Sequence, residues 1–563
     1  MEAFFPHLTS TGAAPTSRVI LSAYRNAFFQ DIYTGKIRPF VIPYNLGGLF
    51  LMIIYLCIPH KDHPWIYAAR WPIVGLITWF QWYIIHNSSS PNYCIGFFSG
   101  LISAWVIVWS FCWLIFMQPQ WDAKRVQRIK IRQTDENLTI KEKSNVPQYS
   151  MANGNGNANG NANGNANGNA NGNANGNGRQ RKIHLNGFSR PQGQIGRKTK
   201  VRETLKYFWQ PYPDNLRERI PWVIDLVLNF RGPGWNWVIS TLPSLPPDIY
   251  VQLGDPAPKN SYSSISPIGM KRFDTRQDLW RSRVPRFIFG YFLLDFLKVI
   301  MMKDPYYKFG PTTYALPAHL RDLSPFAIHM YRSSLSSGTI IAGLSVANYL
   351  PPLFISIILG PTIFGLRAEA WYYPSTWGPF SNISYKGLSG LWGNYWHQTF
   401  RQCFTAPLKY LIRLGIIKPR SPAAMIASLI FAFGISGFLH WAGSVSLYGK
   451  TYPVNLYYFF VLQCLGIVIQ CTFCSVLKQY IEELPKKIRY AANLIYSLVW
   501  LYSTGWILAD DLARGGLWLW EPIPFSPLRG LGFGEPDSRW SCWEYNGVGW
   551  YTGKHWWESG ISI

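Results

Sequence analysis

Eight stretches of this sequence are apolar over lengths that approach the roughly 20 residues a helix needs to cross a bilayer. They are Phe40–Ile58, Trp71–Ile85 with a few flanking residues, Ile95–Met117, Phe287–Met302, Gly338–Leu359, Ala423–Ser446, Leu456–Leu477 and Ala491–Ala509. Ile95–Met117 carries no charge at all, whereas Phe287–Met302 carries Asp295 and Lys298. A further amphipathic stretch, Trp222–Phe230, is too short to span alone. The pattern predicts an all-α fold, a polytopic membrane helical bundle of about eight to nine transmembrane helices.

The apolar runs divide the chain into three. Residues 1–117 form a three-span N-terminal region, 118–220 a polar insert, and 221–563 a core of about five spans with a lumenal C-terminal segment. The centre of the insert, Asn153–Gly178, repeats the unit N-A-N-G. Such a segment has nothing apolar to bury against its ordering entropy, so it is expected to be disordered and cytosolic, and it carries no chemistry.

Composition supports the membrane reading. Charged residues are only 14% of the chain, against about a quarter in soluble domains, and 27 Trp and 33 Tyr supply side chains suited to the membrane–water interface. The net charge of +25 is spread over span ends and the insert, which argues against a compact nucleic-acid face. Lys124, Arg125, Arg128, Lys130 and Arg132, then Arg281, Arg283 and Arg286, then Lys418 and Arg420, then Lys478, Lys486, Lys487 and Arg489 all fall on one side if both termini are lumenal. Only Arg18, Arg25, Lys36 and Arg38 oppose that topology. The loop Asn87–Cys94 is then lumenal, and Asn87-Ser88-Ser89 is an N-glycosylation sequon. No compact apolar leader precedes the first span, so that span is expected to act as its own insertion signal. Five of the eight cysteines lie in apolar runs; the pair Cys471 and Cys474 lacks the second ligand pair that a zinc site needs.

An ionisable residue inside a span is costly and defaults to a functional hypothesis. His440 is the clearest case, in a run without formal charge from Pro422 to Gly449. Gly434, Ser436 and Gly437 beside it are small enough for close approach of another helix. A neutral imidazole there suits a general base, and a packed histidine bonded to a neighbouring helix is the bland alternative. A second constellation runs from Leu388 to Arg401. If it is helical from Trp396 onward, His397 and Arg401 share a face, with Phe400 and Phe404 beside them and Lys409, Arg413, Lys418 and Arg420 following. Either it anchors to anionic headgroups or it grips an anionic co-substrate. Asp225 and Asn229 read as structural or gating, and Asp295 with Lys298 as an intrahelical pair.

The stretches Leu391-Trp392-Gly393-Asn394-Tyr395-Trp396-His397-Gln398-Thr399-Phe400-Arg401 and Ser436-Gly437-Phe438-Leu439-His440 resemble, in order, the two signatures of the wax synthase-like branch of the membrane-bound O-acyltransferase superfamily. Two more stretches, from Pro221 to Trp237 and Ala513 to Pro522, resemble its filamentous-fungal members. The sequence departs from the pattern at Leu391, where Phe is common, and at Asn394, where Arg is frequent. The resemblance implies that His440 is the catalytic base and His397 a second active-site residue, orienting the thioester or stabilising its oxyanion. It implies that Trp396, Arg401, Lys409 and Arg413 contact an acyl-CoA co-substrate, with acetyl-CoA expected. It also implies no permanently bound cofactor or metal, an endoplasmic-reticulum membrane location, and a terpenoid or meroterpenoid alcohol of secondary metabolism as acceptor.

Other readings remain. A long-chain wax or sterol ester synthase would use the same residues with a deeper pocket. A membrane transporter would show paired repeats, and no matching halves are visible. A prenyltransferase would want Asp-rich motifs, for which Asp510-Asp511 is poor support, and neither H-x-x-x-D nor G-x-S-x-G occurs.

Overall fold

A computed structural model describes residues 14–133, 202–254, 263–543 and 548–563. The N-A-N-G repeat lies outside the described residues. Two compact units are present. Residues 129–206 form the smaller one, of which only the ends of two paired strands, Arg125–Gln133 and Arg202–Gln210, are described. The rest is the larger unit, mostly helical with a few two- and three-residue strands.

Its principal helices are α1 (Ser17–Tyr33), α2 (Gly47–Cys57), α3 (Arg70–Asn87), α4 (Tyr93–Ser110), α5 (Leu216–Leu228), α6 (Arg276–Met301), α7 (Pro325–Pro352), α8 (Ser381–Gly390), α9 (Arg401–Arg413), α10 (Pro422–Val445), α11 (Pro453–Val476) and α12 (Lys486–Arg514). Local chemistry sets several starts. Ser324 and Ser421 each cap the amide three residues on, and each is followed by Pro at the first helical position, where its missing N–H costs nothing. Asn92 accepts from Cys94 N and Ile95 N to start α4. Three helices end in wide π-type turns: α4 in Phe111–Phe116, α7 in Leu353–Leu359 and α8 in Leu391–Tyr395.

Among the described residues, four helical stretches are long and apolar enough to cross a membrane: Tyr93–Phe116, Pro325–Ala368, Pro422–Val445 and Pro453–Val476. Tyr44–Cys57 is a shorter apolar helix. The runs Trp71–Ile85 and Ala491–Ala509 fold within α3 and α12, and Phe287–Met302 folds in α6 with Met302 as its C-cap. Large apolar side chains such as Phe473, Val476, Leu498 and Val499 stay exposed, as a lipid-facing surface requires. The short α5 is no span. Trp222, Val223, Leu226 and Val227 bury into the main core, and Trp109 Nε1 donates to Val227 O at 2.8 Å.

The central helix is α10, which packs on α4, α9 and α11. Its contact with α4 runs through Gly100: a Cβ there would lie 1.9 Å from Ala442 O, and Gly100 N donates to Ser446 Oγ at 2.9 Å. On the other side, a Cβ at Gly437 would meet the Tyr457 ring of α11 at 2.8 Å. The small residues beside His440 thus do bring a neighbour close.

Asp295 and Lys298 correct the sequence expectation, because they do not pair with each other. Each reaches away from α6 to hold the C-terminal segment. Asp295 accepts from Ser526 Oγ and from Leu528 N at 3.0 Å; Lys298 Nζ donates to Trp518 O at 2.5 Å. Both are nearly fully buried, so unmatched polar groups would be costly; these partners satisfy them, with Glu521 a further 3.9 Å ion-pair partner of Lys298. Asp295→Ala leaves two donors without an acceptor and is expected to cost about 2 kcal/mol, read as a fall of several degrees in the melting midpoint of purified protein in detergent. An unchanged midpoint would contradict this clamp.

Candidate active site

The first histidine is presented by a broken helix. In α8, Gly387 takes φ 61° and ψ −137°, and a Cβ there would sit 1.9 Å from Gln470 Nε2 of α11. Only glycine permits this turn and this contact together. Gln470 Oε1 accepts from Leu388 N at 3.0 Å and so fixes the helix beyond the break. The chain widens through Leu391–Tyr395 and leaves helical geometry at Trp396, with φ −59° and ψ 153°.

Trp396 to Phe400 is therefore not helical, which corrects the expectation that His397 and Arg401 share a helix face. The reason is local: Gln398 ties the loop to itself. Its Nε2 donates to Trp396 O at 2.7 Å and Trp392 O at 3.2 Å, and its Oε1 accepts from Arg401 Nη1 at 2.6 Å. Arg401, the first residue of α9, also donates to Gly393 O at 2.9 Å. His397 is left at the apex, ringed by Trp396, Trp377 and Phe400 at centroid distances of 5.6, 6.0 and 6.2 Å. Its Nδ1 is buried and has no hydrogen-bond partner among the described residues.

Burial, then the charges of His440 and Arg231, pushes His397 from an ordinary 6.5 down to about 4, so this imidazole is neutral near pH 7. Between those values the unfolded chain binds a proton that the folded chain refuses, so stability falls as pH drops through that window. His397→Gln should flatten the fall of the melting midpoint between pH 6.5 and 4.5. Equal slopes in mutant and wild type would show that His397 is freely protonated in the fold.

His440 lies on α10. Its Nδ1 is 2.8 Å from Ser436 O, one turn back. A carbonyl can only accept, so Nδ1 carries the proton and Nε2 keeps its lone pair. That is the tautomer a general base needs. The ring lies against Phe460 of α11 at 4.4 Å and near Phe97 of α4 at 6.4 Å. Trp392 touches both Trp396 and Phe460, so an unbroken aromatic lining runs from one histidine to the other. Ser444, one turn past His440, donates to the buried Asp511 at 2.6 Å, and Asp511 also accepts from Tyr452 N at 2.5 Å. This ties α10 to α12 and to the turn before α11.

The other expected residues fall nearby with varied partners. Trp396 packs between Trp392 and Trp377. Among the described residues Lys409 Nζ donates to Gln402 Oε1, at 3.4 Å, and burial lowers its pKa. Arg413 donates to Phe116 O at 2.9 Å and lies 5.3 Å from the Tyr410 ring. Asn394, where the resembled signature often has Arg, is satisfied with its amide turned so that its oxygen accepts from Lys386 Nζ at 3.2 Å, so a cation still stands beside it. Asp225 is structural: Arg367 at 2.9 Å, Arg125 at 3.5 Å and the Tyr372 hydroxyl at 3.4 Å surround it. Asn87 Nδ2 donates to Tyr83 O at 2.9 Å, and Ser88 and Ser89 are buried in a two-residue parallel pairing with Arg38–Pro39.

Residues 373–462 match the Membrane bound O-acyl transferase family, a segment that holds both histidines and every expected co-substrate residue. This segment belongs to that family. Relatives of the longer chain agree. It is 27% identical over 260 residues to an acetyltransferase of Rhodocybe pseudopiperita, covering 46% of this chain and 56% of that one. It is 24% identical to an O-mevalon transferase of Aspergillus niger, over 47% of this chain and 55% of the relative. An acetyltransferase of Arthrobotrys oligospora is also 24% identical, over 56% and 64% respectively. The chain thus spans little more than half the length of the curated relatives it matches. No solved structure matches it. The O-acyltransferase segment is where the fold breaks α8, exposes a tautomerically fixed imidazole on α10 and lines the space between with aromatic rings.

Proposed function

We propose that this chain is a multi-pass membrane O-acyltransferase that moves an acyl group, acetyl in the first instance, from acyl-CoA to the hydroxyl of a hydrophobic terpenoid or meroterpenoid alcohol. One observation carries the reading: His440 holds its proton on Nδ1 against Ser436 O and leaves Nε2 free within an aromatic-lined interior beside a neutral His397. Nε2 takes the hydroxyl proton as the alcohol oxygen attacks the thioester carbonyl. The C–S bond breaks, the thiolate leaves, and the imidazolium returns the proton to sulfur. Ester and free thiol are the products. The neutral His397 hydrogen-bonds the carbonyl or its oxyanion, and the aromatic lining keeps out water that would hydrolyse the thioester. Trp396, Arg401, Lys409 and Arg413 form the proposed rim of the donor entrance.

Relatives named acetyltransferase and O-mevalon transferase differ in the acyl group, so donor size is the variable to test. Microsomes carrying the protein are fed candidate terpenoid alcohols with labelled acetyl-CoA, or with labelled palmitoyl-CoA. Label in an acetyl ester is expected. Label only from the long chain would move the reading to a wax or sterol ester synthase, and no ester from any donor by inserted protein would end the enzymatic reading.

A further inference from the structure

The segment that follows α12 turns its charges inward and its aromatic rings outward. Residues 521–543 carry Glu521, Arg529, Glu535, Asp537 and Arg539. Arg529 Nη2 donates to both carboxylate oxygens of Glu521, at 3.1 and 3.0 Å. Glu535 pairs with Lys308 at 2.5 Å, and Asp537 accepts from Thr16 Oγ1 at 2.5 Å. Arg539 stays at the surface, where a long side chain can reach headgroups from a deeper backbone. The outer face is otherwise apolar. Phe525, Leu531, Phe533, Trp540 and Trp543 are all exposed, Leu531 by 73% and Trp540 by 60%. Phe525 and Trp540 stack on this face at 5.1 Å. A segment folded against water does the reverse, since apolar burial is favourable and a buried charge is costly.

Its depth is set by α6. Tyr291 Oη donates to Phe525 O at 2.5 Å, Asp295 holds Ser526 and Leu528, and Lys298 holds Trp518. Ile523 packs in one cluster with Leu294 of α6 and Ala342 of α7. Met302, where the apolar run of α6 ends, lies about 12 Å farther along the axis than Leu294, at about 1.5 Å per residue. Phe292 and Phe296 of α6 are exposed at this same level, so the outer face of the segment continues a helix surface that already suits lipid. The backbone meets the demand that lipid makes, that each polar group find a partner inside the protein. Pro522, Pro524, Pro527 and Pro536 have no N–H to satisfy. Ser526 N donates to Trp540 O and Cys542 N to Pro524 O, both at 2.8 Å. Leu531 N donates to Pro527 O and Phe533 N to Leu528 O, both at 3.0 Å.

We propose that residues 521–543 are set into one leaflet of the bilayer, with Phe525, Leu531, Phe533, Trp540 and Trp543 as the surface that meets lipid where acyl chains give way to headgroups. The partner of this face is bilayer lipid, because tryptophan and phenylalanine on a charge-free surface at that level match the membrane boundary. A leaflet-embedded segment replaces the lumenal tail expected from the sequence. The placement holds whether or not the chain transfers acyl groups.

The test is photo-cross-linking to lipid. Full-length protein with p-benzoylphenylalanine in place of Leu531, or of Phe533, is set in phosphatidylcholine nanodiscs with radiolabelled acyl chains and irradiated. Both side chains are exposed, so the probe leaves the packing intact, and two positions guard against one poor variant. The probe at Phe292 is the lipid-facing standard. The probe at Gln277, exposed on the same helix about 15 Å before its apolar run begins, is the water-facing one. Lipid label at 531 and 533 should come within about twofold of that at 292, with 277 near background. Label at both positions as low as at 277 would overturn the placement and put the segment in water. A cross-linked band of twice the chain mass, in place of lipid label, would also overturn it and mark the face as a contact between two copies.

Discussion

His440→Ala should reduce ester formation by a factor of about 10²–10⁴, the usual worth of a positioned general base, in protein that still inserts and melts near the wild-type temperature. The folding cost is small because the ring donates one hydrogen bond, to a carbonyl on its own helix, and its other neighbours are aromatic faces that a small cavity leaves in place. The chemical cost is large because, in the proposed mechanism, the lone pair on Nε2 accepts the hydroxyl proton. His440→Gln separates these roles, since an amide keeps polar volume but is not basic at neutral pH. Both variants should show similar rate losses with little change in KM for the donor. Turnover within threefold of wild type in either variant would remove His440 from the chemistry.

Gly100→Val should be the most disruptive single change in the membrane core. Even one carbon at this position would lie 1.9 Å from Ala442 O and 2.4 Å from Ser446 Oγ, and the first of these is backbone of α10. A side chain could rotate away; a helix carbonyl cannot. Accommodation requires α10 to move off α4, which breaks the bond from Gly100 N to Ser446 Oγ and separates Phe97 from His440. We expect a loss of about 3 kcal/mol or more and little folded protein after detergent extraction. Because α10 carries the proposed base, residual folded protein should also be slow. Gly343, with nothing near its Cβ position, is the control: Gly343→Ala should express normally. Comparable yields for Gly100→Val and wild type would show that the two helices are not in this contact.

Much of this was legible in the sequence because membranes leave few options. Uncharged runs such as Ile95–Met117 and Ala423–Ser446 fold as helices nearly where the pattern puts them, and a lone imidazole in such a run is conspicuous. The short Leu216–Leu228 helix was harder to place, since Trp222 and Val223 are apolar whether they face lipid or a protein core. The loop at Trp396 was not legible. Its residues have ordinary helical propensity, and what breaks the helix is a side chain, Gln398, which donates to the Trp392 and Trp396 carbonyls before it and accepts from the Arg401 side chain after it. Asp295 and Lys298 misled for a related reason: a spacing of three suggests a pair, but both are claimed by a segment more than 200 positions away.

The two wide π-type turns that finish α4 and the α8 segment have a shared use. Each leaves a carbonyl free of its own helix, and α9 takes up both: Arg401 at its start bonds Gly393 O, and Arg413 at its end bonds Phe116 O. The amphipathic α9 is thus a strut pinned at both ends by long side chains and packed along its length against α10, with Cys403 and Ala406 in the main core. The segments that close α4 and α8 are braced against each other across it, which holds the loop bearing His397 in place beside the helix that carries His440.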